Sequence, residues 1–161
     1  MSQVNDSVDA RPDHPDLPFK PPMAFLLCLA IGVGIDHFWP RPARPAGWAV
    51  VGIAMSVLAI VLIEWAAATF KRHKTAVVPW KPTRAIVASG PYAVSRNPIY
   101  VGFALLQVGL GVWANKLAVV LMVVPAIIMT RVLVIAREEE YLERKFGAAY
   151  SEYKARVRRW V

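Results

Sequence analysis

The sequence is poor in the residues that build metal and redox centres. It has one cysteine and three histidines in 161 residues, and 11 acidic residues against 19 lysines and arginines. A single cysteine excludes an internal disulfide, and Cys28, set in an apolar run, reads as a buried thiol rather than a nucleophile. His14, His37 and His73 show no metal-ligand spacing, so no metal is expected. No phosphate loop, zinc motif or nucleophile elbow occurs. Gly32-Val33-Gly34 looks like part of a nucleotide loop, but no strand precedes it, and glycines inside an apolar run serve helix packing. The absence of a βαβ pattern excludes a Rossmann-type domain. The excess of positive charge, +8, does not point to nucleic acid. The basic residues flank apolar runs, where anionic lipid headgroups are the expected partner.

What the chain has in quantity is apolar surface. Hydrophobic residues make up 57% of it, with a mean hydropathy of +0.41, above the roughly 45–50% usual for soluble domains. The length suits one domain. Residues 1–21, with four Asp, four Pro and no periodicity, read as a mobile cytoplasmic tail before a single membrane domain, 22–161. The acidic start argues against a removable signal peptide, with the small residues of 43–47 as the weaker alternative.

Four apolar runs lie at about 22–38, 46–70, 98–114 and 117–136. A spanning helix needs roughly 17–25 mainly apolar residues. The second and fourth runs meet that comfortably, the first and third only just. Short turns at Trp39-Pro40 and Asn115-Lys116 predict two antiparallel hairpins. The expected fold is an all-α integral membrane protein with four transmembrane helices, because the runs lack the polar stripe of a soluble bundle. Loop 71–97 and the segment after Ala136, with Arg11 and Lys20, carry fifteen Lys and Arg, whereas the other side carries Arg41, Arg44 and Lys116. Both chain ends and the loop should therefore face the cytoplasm.

Two charges interrupt the apolar runs. Glu64 and Arg131 both fall in the cytoplasmic third of the bilayer, where a charge usually faces a partner or a cavity. The hypothesis is that they pair and wall the inner end of a cavity; the alternative is that each snorkels separately. Beyond Ala136, in the segment 137–161, Leu142, Phe146, Tyr150, Tyr153 and Val157 share one helical face with basic residues opposite, and Gly147 should break or bend the helix. Such an amphipathic segment lies on the membrane or folds back over the central loop as a lid.

The chain is organised around Ser89 to Gly102, SGPYAVSRNPIYVG. Gly90-Pro91 signals a turn. Pro98 keeps Asn97 extended and suits a helix's first turn, so a helix should start there. Tyr92, Ser95, Arg96, Asn97 and Tyr100 then gather where free backbone N–H groups await an anionic ligand. An interfacial anchor explains the same residues equally well. Glu138 and Glu139, about 100° apart on a helix, allow one carboxylate to face a pocket while the other braces it.

This motif, followed by a further span and EE-xx-L-xxx-FG-xx-Y-xx-Y-xxx-V, resembles the isoprenylcysteine carboxyl methyltransferase family and, more distantly, the phospholipid N-methyltransferases. The likeness covers about 75–161, including the lead-in TAVVPWKPTRAIVASG. It implies a membrane enzyme, here of a bacterial inner membrane, that uses S-adenosylmethionine without a Rossmann domain and takes a lipophilic acceptor from the bilayer. Carried over by position, Gly90, Tyr92, Arg96, Asn97, Pro98, Tyr100 and Gly102 form one wall of the cofactor pocket, and Glu138 and Glu139 the other. Arg96, Asn97, Tyr100 and Glu138 are the candidate catalytic residues. The eukaryotic-type motif has His where this chain has Asn97, which cannot titrate near neutral pH.

In this reading Glu138 or Glu139 holds the cofactor's ammonium or ribose hydroxyls, and Arg96 its carboxylate. Neither Asn97 nor Arg96 is a base. That favours an already anionic acceptor, such as a prenylated cysteine carboxylate or a thiolate, over a lipid amine, unless a Tyr or Glu takes the proton. Two rival readings are an NADPH-dependent oxidoreductase like the membrane sterol reductases, and a non-catalytic binding scaffold. The paired glutamates suit a cationic cofactor better than a multiply phosphorylated one.

Overall fold

A computed structural model describes residues 14–18, 20–39, 42, 45–73, 83 and 85–161. The described residues are helical, without a named strand. The helices are α1 (Pro22–Phe38), α2 (Gly47–Arg72), α3 (Pro98–Trp113), α4 (Leu117–Leu121), α5 (Val123–Thr130), α6 (Ala136–Phe146) and α7 (Ala148–Arg156), with a 3-10 turn at Gly90–Ala93. α4 to α6 form one run, Leu117–Phe146, through a turn of π-helix at Arg131–Ile135.

Two helices, Gly47–Arg72 and Leu117–Phe146, are long and apolar enough to cross a membrane, and α1 and α3 are shorter apolar helices. Their outer faces present Leu26, Leu27 and Ile31 on α1, Val57, Leu58 and Val61 on α2, and Val124 and Ile128 on α5, all exposed. A surface this continuously apolar suits lipid, not water. Trp39, Trp48 and Trp113 stand exposed at the helix ends remote from the Ser89–Asn97 loop, the aromatic edge expected at a bilayer interface.

Inside, small residues let backbones approach. A Cβ on Gly52 would sit 2.3 Å from the Trp113 backbone nitrogen, so α2 and α3 meet main chain to main chain there. Phe25 and Cys28 of α1 pack with Ala126 of α5, so Cys28 is a buried packing thiol. Buried polar groups serve helix ends: Asp36 accepts from the Val119 N–H at 3.3 Å, and Gln107 donates to the Val119 carbonyl at 3.1 Å. Asn115 takes a positive φ of 56° and donates to the Pro42 carbonyl, tying the two remote turns together.

The structure departs from the sequence reading in three places. Glu64 and Arg131 are both exposed and form no ion pair with each other. Ala59 and Ala66, which are fully buried, define the inner face of α2, and Glu64 falls on neither. Residues 14–18, 20 and 21 do not trail as a tail: Pro15 and Pro21 are buried, Leu17 packs against Tyr100, Val134 and Ile135, and the Asp16 carbonyl accepts from Arg137. The rest of that tail, and residues 74–82 of the central loop, lie outside the described residues. Finally, 137–161 is not one amphipathic helix. Its first half, α6, extends the helix of the fourth apolar run as a polar, amphipathic stretch, and Gly147, at φ 53°, breaks the helix before α7 where a break or bend was expected.

Candidate active site

The site forms where the Ser89–Asn97 loop meets the start of α3, α6 and the segment after α7. Gly90 enters the 3-10 turn with φ +59°, which a side-chain-bearing residue rarely adopts. The turn lowers Tyr92 into a pocket of Ala66, Val87 and Phe70, its ring perpendicular to that of Phe70 at 4.7 Å. From α7 the Tyr153 hydroxyl donates to the Tyr92 carbonyl at 2.8 Å. Tyr150, Tyr153 and Val157 pack with Ile86, Leu142 and Phe146, so the apolar face of the C-terminal segment folds onto the loop as a lid.

Beyond α7 the chain runs beside the loop. Ser95 and Arg158 form a parallel bridge, and the Arg96 N–H donates to the Arg158 carbonyl at 2.9 Å. The Asn97 amide donates to the Arg159 carbonyl at 3.0 Å, and Ser95 Oγ to the same oxygen at 3.4 Å. Asn97 is thus a structural link between loop and lid in this arrangement.

The two glutamates divide as their spacing on the helix allows. Glu139 is buried and fully engaged: Oε1 accepts from Arg159 Nε at 3.0 Å and lies 3.2 Å from Arg96 Nη2, while Oε2 accepts from Arg159 Nη2 at 2.7 Å. Glu138 accepts from the Tyr100 hydroxyl at 2.8 Å. Glu138 lies just past the apolar part of its helix, which ends at Ala136. Burial pushes its carboxyl up to about 7, the Tyr100 hydrogen bond pulls it down, and the charge of Glu139 pushes it up again. One carboxylate is held by two arginines, and its neighbour is pushed up to about 7. Burial also raises the Tyr92 and Tyr150 hydroxyls, and pushes Tyr153 up to about 12, so these phenols stay protonated.

A cavity of about 330 Å³ opens between these groups. Its polar wall includes Tyr92, Arg96, Asn97, Tyr100, Glu138 and Glu139, and Pro98 also lines it. Ile63 and Phe70 of α2, Phe103 of α3, and Pro15, Pro21 and Pro22 make an apolar side. The Arg96 side chain is only 8% exposed, and its Nε and Nη1 are buried without hydrogen-bond partners.

Of the nine residues expected at the site, seven line the cavity. Gly90 and Gly102 do not. Gly90 shapes the turn. Gly102 faces α2, where a Cβ would come 2.4 Å from Ile63 Cγ1, so close helix packing accounts for it. Sequence reasoning missed Arg159, whose place in a general run of basic residues gave no signal. It also missed Phe70 and the prolines of the N-terminal segment.

The family model for phospholipid methyltransferase matches residues 48–149. That range holds α2, α3, the loop and both glutamates, and stops short of Arg159. An uncharacterized protein of Haemophilus influenzae is 38% identical over 63 residues, which cover 39% of this chain and 100% of that relative. No solved structure matches.

Proposed function

The chain belongs to the phospholipid methyltransferase family, and from that premise we propose that it is a membrane methyltransferase using S-adenosylmethionine on a lipophilic acceptor. In this reading all four apolar helices cross the bilayer in two hairpins, with the site and both chain ends on the cytoplasmic side, where the positive charge is concentrated. α1 and α3, with 17 and 16 residues, sit at the short end of spanning length, which a membrane accommodates by local thinning.

The observation that carries the proposal is the pair of unpartnered nitrogens on Arg96. A buried guanidinium with free donors calls for an anion, and a carboxylate is its geometric match. S-adenosylmethionine has one, together with an ammonium and ribose hydroxyls for which Glu138 is the available carboxylate. When bound, the cofactor supplies a methyl group on a sulfonium cation. The chain's part is to hold the polar end at Arg96 and Glu138, and to take the acceptor's hydrocarbon against Ile63, Phe70 and Phe103 while excluding water.

Glu138 widens the choice of acceptor. Where the ammonium and ribose lie away from Glu138, its carboxyl, pushed up to about 7 by burial, is free to act as the acceptor's base instead. A lipid amine or a thiol, each of which must lose a proton, therefore fits beside a prenylcysteine carboxylate, which needs no base.

The test is thermal unfolding of the purified protein with S-adenosylmethionine, its demethylated product or NADPH. A ligand specific for the folded state adds roughly 2.7 kcal/mol at about a hundred times its dissociation constant. Stabilisation by the two adenosyl compounds is expected. Stabilisation by NADPH alone replaces this reading with a reductase.

A further inference from the structure

Both oxygens of Glu139 are held by Arg159, and Oε1 is shared with Arg96. Glu139, Arg96 and Arg159 together carry one net positive charge at the cavity wall. The two arginines are not equivalent. Arg159 reaches Glu139 through two parallel hydrogen bonds, the strongest geometry such a pair can adopt. Arg96 touches it through Nη2 alone and keeps Nε and Nη1 unpartnered, although its side chain is more than nine-tenths buried. If Arg159 were absent, Glu139 would be free to take Arg96 as its own fork partner. The pair would then be neutral and Arg96 would turn its donors inward.

We propose that Arg159 is a positioning residue that neutralises Glu139 and so leaves Arg96 as the receptor for the cofactor's carboxylate. The backbone supports the same role. The Arg158 and Arg159 carbonyls accept from the Arg96 N–H and the Asn97 amide, so the segment that delivers the Arg159 side chain also fixes the loop bearing Arg96. Arg159 lies beyond the region matched by the family model. Its role is therefore read from this geometry alone, and it rests on the cofactor reading above.

The experiment compares two ligands by calorimetric titration of the detergent-solubilised full chain. S-adenosylhomocysteine carries the carboxylate; 5′-methylthioadenosine has the same nucleoside without the amino-acid end, so it lacks both the carboxylate and the ammonium. Arg159→Ala is expected to weaken S-adenosylhomocysteine by about tenfold or more, the scale of a charge-assisted hydrogen bond, and to leave methylthioadenosine within about twofold. Arg159→Lys, which restores the charge without the fork, should recover part of the loss. Equal weakening of both ligands in Arg159→Lys, which keeps the charge and is the variant less prone to unfold, makes the residue merely structural and overturns the proposal. Unchanged S-adenosylhomocysteine affinity in Arg159→Ala overturns it too, while the cofactor reading stands. A wild-type protein that binds neither compound overturns that reading and this proposal with it.

Discussion

The Tyr100 hydroxyl donates to Oε1 of Glu138 at 2.8 Å, one residue away from a glutamate whose oxygens are both held by arginines. Two adjacent carboxylates thus end in different surroundings, and that of Glu138 makes a pH-dependent contribution to stability. The carboxyl of Glu138 rises from 4.5 to about 7 on folding, so the folded state binds the extra proton between those values. The stability from this group is complete below about 4.5 and is lost as the pH rises through about 7. Wild type should therefore lose thermal stability between about pH 4.5 and about pH 7 relative to Glu138→Gln, the window the two values define. A parallel pH dependence in both proteins would refute the assignment.

Tyr100→Phe removes the hydrogen bond that favours the ionised carboxylate. The pH at which Glu138 titrates should then move upward, not downward. Infrared titration of the carboxylate band against Glu138→Gln reads this directly. A downward or absent shift would mean that the hydroxyl does not serve the charged form.

The glycines make a second contrast. A Cβ on Gly52 would strike the Trp113 backbone, which cannot give way, whereas one on Gly102 would strike Cγ1 of the Ile63 side chain, which yields only by shifting a β-branched residue. Gly52→Ala should cost about 1–3 kcal/mol or more, as overpacking does, and Gly102→Ala less. Ile63→Ala placed on top of Gly102→Ala should restore part of the loss. Unfolding in detergent measures both. S-adenosylhomocysteine affinity per folded molecule should change little in Gly102→Ala, because Ile63 lines the side assigned to the acceptor, and a large loss there would return Gly102 to the cofactor wall.

Much of this was legible in the chain. Pro98 fixed the start of α3, Gly147 the break before α7, and the three- and four-residue spacing of Tyr150, Tyr153 and Val157 the face that docks on the loop. The position of Glu138 beside Glu139 already allowed one carboxylate to face a pocket while the other braces it. Which was which depended on Arg159, and a long-range ion pair leaves no periodic trace. Nor does the packing of Leu17 and Pro15 against the site, because a proline-rich acidic stretch reads as solvated chain until its partners are known. Glu64 and Arg131 failed differently. Their depth in the sequence was similar, but their helix faces were not shared.

That last point yields its own measurement. Since Glu64 and Arg131 are exposed and unpaired with each other, Glu64→Gln and Arg131→Met should act independently. The double mutant should equal the sum of the single changes within about 0.5 kcal/mol. A larger coupling would show that the two charges meet after all.

The glutamate–arginine cluster predicts an order of damage. Removing Arg96 leaves Glu139 with its two bonds from Arg159, so Arg96→Ala should lose cofactor affinity while its fold survives. Removing the charge of Glu139 instead leaves two guanidinium groups facing each other, one of them almost wholly buried. Breaking a buried pair from one side costs about 3–5 kcal/mol, and the partial exposure of Arg159 brings the expected loss below that range. Glu139→Gln should therefore unfold at a clearly lower temperature than Arg96→Ala. It should also lose ligand binding as a consequence of the disturbed arginines, since both oxygens of the carboxylate are already held by Arg159. If Glu139→Gln keeps wild-type stability and loses only affinity, Glu139 touches the ligand directly and the cluster rearranges when the ligand binds.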